Sequence, residues 1–160
     1  MGTYQDRTVL YCFDGQTIET VFSPEGSIDG WIQLNDQFFG IGLFDNRHQE
    51  LYAFNFDEST YSRLTSFNAE YWDNHYLATP QHIQYESNGD MLDGWVLLPQ
   101  DYDAKKQYPA ILDIHGGPKT IYNGVVYHEM QAWANLGYIV FFTNPHGGDV
   151  YGNEFADIRG

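Results

Sequence analysis

Short apolar runs alternate with polar turns through the first 75 residues, the rhythm of antiparallel strands. Runs over residues 8–13 and 16–22 flank Asp14-Gly15, which predicts a two-residue hairpin. Strands follow at 38–44, 51–56 and 61–64, separated by polar turns at 45–49 and 57–60. Residues 67–75 are mixed and polar and read as a connector. Beyond it, runs at 82–86 and 91–98 flank a turn at 87–90 and predict a second hairpin.

The character of the chain then changes. Ala110–Ile114 is almost wholly apolar rather than alternating, as expected of a buried parallel strand. Val125, Met130, Trp133, Ala134 and Leu136 fall roughly on one helical face, with Gly137 placed to cap the helix. A β-rich apolar run at 138–143 completes a strand–helix–strand unit.

Leu10-Tyr-Cys-Phe13 recurs as Leu51-Tyr-Ala-Phe54. Units of about 40–45 residues with several strands each are typical of propeller blades. A small β-sandwich is the alternative. Propellers close with four or more blades, so this part reads as the last blades of an incomplete propeller.

The chain has 160 residues, with 22 acidic against 7 basic, for a formal charge of −15. Both sides of residue 75 are acidic, which argues against nucleic acid and anionic membrane surfaces as partners. Cys12, the one cysteine, excludes an internal disulfide and reads as a small apolar strand residue. A reducing, cytoplasmic setting is expected. No run reaches the roughly 18 apolar residues of a membrane helix, and the first residues lack a signal-peptide core.

The chemistry concentrates at His115-Gly-Gly-Pro118, directly after the run at 110–114. Glycines at a strand end let a reacting carbonyl approach backbone N–H groups closely. The block 108–118, Leu136-Gly137-Tyr138 and Asn144-Pro-His-Gly-Gly-Asp-Val-Tyr-Gly152 together resemble the prolyl oligopeptidase family of serine peptidases. Within it the likeness is to the acylaminoacyl-peptidase and dipeptidyl-peptidase types. His82-Ile-Gln-Tyr-Glu-Ser and Leu92-Asp-Gly-Trp-Val-Leu-Leu-Pro99 resemble the start of that family's hydrolase domain.

The resemblance implies blades of a β-propeller over residues 1–75 and the N-terminal part of an α/β-hydrolase sheet over 76–160. It implies that the Gly117 N–H is an oxyanion donor, supported by His115, Gly116 and Pro118 in the turn. A second donor would follow the nucleophilic serine. His115 is not expected to be the catalytic base, which in this order of residues lies far downstream. His146 stands where the family usually carries arginine, and it is smaller and lacks arginine's planar, permanently charged fork. Tyr151 and Gly152 match the family and are expected to shape their loop.

None of the six serines lies in Gly-x-Ser-x-Gly; Gly26-Ser-Ile-Asp-Gly30 has its first glycine adjacent to the serine. The nucleophile, acid and base are therefore not expected on this chain, and alone it should be inactive. No cofactor is expected, and the remaining histidines (His48, His75, His82 and His128) show no metal-ligand spacing. The edge of Ala110–Ile114 is expected to be left unpaired and to promote self-association. The leading expectation is part of a serine peptidase acting on short peptides. The alternatives are a carboxylesterase or lipase-like hydrolase and a non-catalytic binding or assembly module.

Overall fold

The computed structural model describes residues 1–67, 69–117 and 119–157. They form eleven strands in three sheets, with three short helices. The first sheet is β1 (Gly2–Tyr4), β2 (Arg7–Phe13) and β3 (Ile18–Phe22), all antiparallel in that order. The second is the antiparallel meander β4 (Ser27–Leu34), β5 (Gln37–Leu43), β6 (Glu50–Asn55) and β7 (Thr60–Arg63).

The third sheet combines β8 (Gln81–Ser87), β9 (Asp90–Leu97), β10 (Ala110–Asp113) and β11 (Ile139–Thr143) in the order β10-β11-β9-β8. Only β10 and β11 run parallel, joined through α2 (His128–Asn135). The connector contains α1 (Ala69–Asp73), which buries Trp72, and α3 (Asn153–Ala156) follows β11. No described helix is long and apolar enough to cross a membrane.

Apolar burial is concentrated in two clusters. Leu10, Phe22, Ile28, Phe44, Tyr52 and Phe54 pack between the first two sheets. Trp95, Leu97, Tyr122, Met130, Ala134, Val140 and Phe142 join α2 to the third sheet. Gln131 of α2 fastens the connector to that second core, accepting from Ala78 N–H at 2.8 Å and donating to its carbonyl at 2.9 Å. A side-chain amide thus satisfies both buried main-chain groups, which would otherwise be left without partners.

Several expectations are corrected. The first hairpin joins Phe13 to Ile18 across four residues, not two. The Asp14 carboxylate captures the N–H groups of Gln16 and Thr17 at 2.8 and 2.7 Å and holds the wider loop. The two-residue turn is instead Asn88-Gly89, both with positive φ (54° and 91°), between the paired Ser87 and Asp90. The connector is partly helical. The four-residue recurrence does not keep its phase: Leu10 is buried and Tyr11 exposed, whereas Leu51 is exposed and Tyr52 buried. A β-bulge between Leu10 and Tyr11 accompanies this change of face.

The expected parallel strand forms over Ala110–Asp113, one residue short of Ile114, but it is not buried. β10 lies at the sheet edge, and Leu112 and Ile114 are 55% and 67% exposed. The helix begins only at His128, so Val125 is buried ahead of it, and Leu136 beyond its end is exposed. Gly137 does cap the helix, at φ 92°. Its N–H reaches the Ala134 carbonyl and the Tyr138 N–H reaches that of Trp133, the paired bonds of a Schellman motif.

Candidate active site at the glycine turn

β10 delivers the chain to His115 at the edge of the third sheet, and Gly116 and Gly117 turn it outward into solvent. A Cβ at Gly116 would meet nothing within 4 Å, and one at Gly117 the Lys119 and Thr120 nitrogens at 3.4 and 4.0 Å. The described surroundings thus leave room for a Cβ at either position. Among the described residues the Gly117 N–H has no partner. Pro118 lies outside the described residues.

His115 folds back on its own turn, with Nδ1 2.7 Å from the Gly116 carbonyl and its ring edge-on to Tyr122 at 5.2 Å. Its Nε2 is buried without a partner. Among the described residues no carboxylate is hydrogen-bonded to it.

The turn is anchored on its far side. Lys119, held at φ 64°, donates its N–H to the Gly147 carbonyl at 3.1 Å. Asn144, completely buried at the end of β11, accepts from Tyr122 N–H at 2.6 Å and donates to the Tyr122 carbonyl at 2.7 Å. The Tyr122 hydroxyl donates to Asp113 at 2.9 Å. Burial, then that carboxylate, push the Tyr122 hydroxyl well above the ordinary tyrosine range. Tyr122 therefore remains a donor at any physiological pH. No local pattern in the sequence points to the clamp of Asn144 on Tyr122, because the two are 22 residues apart.

A second polar cluster centres on Asp93, a buried carboxylate of β9. It accepts from Gln84 at 3.0 Å and from the Tyr151 hydroxyl, and it lies 2.7 Å from His82 Nε2. Burial works to raise its pKa, but bonds from Tyr151, Gln84 and His82 together hold it below the ordinary carboxylate value. The hairpin register could have found this cluster: a turn at Asn88-Gly89 puts Gln84 directly opposite Asp93. Tyr151 thus ties its loop to β9, and Gly152, at φ 91°, precedes α3. His146 stands 3.0 Å from the Asp90 carboxylate and stacks on Phe155 at 4.4 Å. No group of three or more metal-ligating side chains occurs among the described residues.

Two clefts of about 780 and 640 Å³ open between the N-terminal and C-terminal sheets. The larger is lined by Arg7, Arg47, His82, Asp93 and Tyr151, the smaller by His48, Asp113, Tyr122 and His128. Neither is lined by the glycine turn, which faces open solvent. The turn's chemistry, not cleft size, marks it as the candidate site.

No family model matches the chain. An uncharacterized peptidase of Bacillus subtilis, YuxL, is 37% identical over 117 residues, covering 72% of this chain and 18% of that protein. Dipeptidyl-peptidase 5 of Aspergillus fumigatus is 33% identical over 75 residues, 46% of this chain and 10% of that protein. A solved acylaminoacyl peptidase, in complex with Z-Gly-Gly-Phe-chloromethyl ketone, superposes with a TM-score of 0.82 at 27% identity. It covers 96% of this chain and 24% of its own. The chain thus spans less than a quarter of the length of each of these relatives. By these likenesses the chain belongs to the prolyl oligopeptidase family of peptidases, among relatives that include acylaminoacyl- and dipeptidyl-peptidases.

Proposed function

We propose that this chain supplies one wall of a serine peptidase active site, with the Gly117 N–H as an oxyanion donor. The observation that carries this reading is the exposed Gly116-Gly117 turn at the end of β10, its Gly117 N–H without a partner among the described residues. In the reaction, a serine hydroxyl contributed from outside this chain passes its proton to a base, also from outside the chain, as its oxygen attacks the peptide carbonyl. The carbonyl π electrons move onto oxygen, and that oxyanion is held by the Gly117 N–H. Collapse expels the amine, which takes up a proton, and water then releases the acyl group as a carboxylic acid. The chain alone carries no Gly-x-Ser-x-Gly and is inactive in this reading.

The same proposal assigns residues 1–75 to propeller blades and 76–160 to the start of an α/β-hydrolase domain. The four-stranded meander β4–β7 suits a blade, and the parallel pair β10–β11 with α2 suits the hydrolase sheet. The two apolar clusters fall on either side of that division. Short peptides are the substrate class, and β10's outer edge is the surface that takes a further strand. Hydrolysis of peptide anilides and short-chain acyl esters by the intact protein containing this chain tests the reading. Turnover of the anilides is expected. Turnover of esters alone would favour the esterase alternative.

A further inference from the structure

An oxyanion donor works only if it is already aimed when charge develops, and misplacement by about 1 Å can cost on the order of a hundredfold in rate. Residues 115–117 are too sparsely packed to aim themselves, since both glycines are exposed and make no close contacts on their Cβ side. Besides the Lys119 N–H bond to the Gly147 carbonyl, the bonds that hold the segment converge on one residue five positions beyond Gly117. Tyr122 has its N–H and carbonyl both clamped by the buried Asn144 amide. Its hydroxyl spans the base of the turn to Asp113, on the strand that enters it. Its ring packs edge-on against His115.

Asp113 precedes the turn and Tyr122 follows it, so their hydrogen bond closes a ring of backbone around Gly116 and Gly117. Asn144 fixes that ring to the end of β11, in the middle of the sheet. We propose that Tyr122 is the positioning residue of the glycine turn, held by Asn144 through its main chain and by Asp113 through its hydroxyl. The proposal rests on the oxyanion reading given above. Tyr122 does not touch the substrate; it sets where the Gly117 N–H points.

The test uses the intact protein containing this chain, with peptide-anilide kinetics and binding of a peptide boronic acid. The boronate forms a tetrahedral anion and so reports the oxyanion site. Tyr122→Phe and Asp113→Ala should each lower kcat roughly tenfold or more with KM little changed, and weaken boronate binding in parallel. Asp113→Asn, which keeps an acceptor for the hydroxyl, should restore most of the kcat lost in Asp113→Ala. Asn144→Asp should lower kcat at least as far. Tyr122→Phe removes one oxygen and leaves the ring and the Asn144 clamp, so it decides the matter even if Asn144→Asp does not fold. A folded Tyr122→Phe protein with wild-type kcat, or one altered only in KM, would overturn the proposal. A wild-type protein that neither hydrolyses anilides nor binds the boronate would sink the oxyanion reading itself, a distinguishable result.

Discussion

His82 and Asp93 meet at 2.7 Å across the β8–β9 hairpin, the imidazole half exposed and the carboxylate buried. Asp93 also receives bonds from Gln84 and Tyr151, and its backbone carbonyl accepts from Thr143 Oγ1 and Asn144 N–H. One residue thus joins β8, β9, β11 and the loop after β11. Its pKa lies below the ordinary value of 3.8 in the folded chain. The stability it contributes is complete above that value and is lost as pH falls through the lower folded one. Acid unfolding followed by circular dichroism should show this loss below about pH 4, and Asp93→Asn should flatten it. Tyr151→Phe removes a bond to a charged acceptor and should destabilise by about 1.5–3 kcal/mol in urea titrations.

His48 provides a pH response of opposite chemistry. Its ring lies between Trp72 at 4.8 Å and His128 at 5.9 Å, and its Nε2 is buried without a partner. Burial first, then His128, depress its pKa below 6.5. Asp29, Asp113 and Glu129 line the same cleft, but none is hydrogen-bonded to it. A histidine held neutral in the fold binds fewer protons than in the unfolded chain, so stability rises with pH across that window. The melting temperature should therefore fall as pH is lowered through 6.5, and His48→Phe should reduce the slope.

Two glycines separate backbone strain from steric overlap. Gly137 needs positive φ, but a Cβ there would meet nothing within 4 Å. Gly137→Ala should cost about 1–2 kcal/mol, the left-handed penalty alone. At Gly40 a Cβ would fall 2.5 Å from the Phe54 ring and 2.8 Å from the Gly30 carbonyl. Gly40→Ala should cost more than Gly137→Ala, because a backbone oxygen cannot move aside as a side chain can. Thermal melts of the two variants side by side check the order.

Among the described residues β10 presents an unpaired edge, with Leu112 on it and Ile114 just beyond its end both exposed. Open strand edges with apolar side chains pair with other strands. The 160-residue polypeptide should therefore associate with increasing concentration in sedimentation velocity, and Leu112→Lys should shift it towards monomer. A wild-type chain that stays monomeric would show that the edge is blunted by something other than pairing.

Where the signal was local, the sequence revealed the structure. The helix stop at Gly137 and the strands at 38–44, 82–86 and 91–98 followed from turn chemistry and apolar runs. β4 escaped notice because a bulge between Ile28 and Gly30 breaks its alternation and leaves Trp31, Ile32 and Leu34 exposed. β1 escaped because it is three residues long and largely exposed. The glycine turn stood out in the sequence as a candidate site, but the side-chain clamps around it did not. Asn144 and Tyr122 are 22 residues apart, and Gln131 and Ala78 are 53 apart. Such side-chain clamps on distant backbone follow no periodicity, and only the fold brings them together.

The most direct test of the oxyanion assignment is the kcat of the intact protein carrying Gly117→Pro, which deletes the N–H, beside Gly117→Ala, which keeps it. Loss of one oxyanion donor typically lowers kcat by about 10²–10³-fold. That loss is predicted for Gly117→Pro, with KM nearly unchanged and a much smaller loss for Gly117→Ala. Equal kcat in the folded proline variant and the wild type would contradict a role for the Gly117 N–H in catalysis.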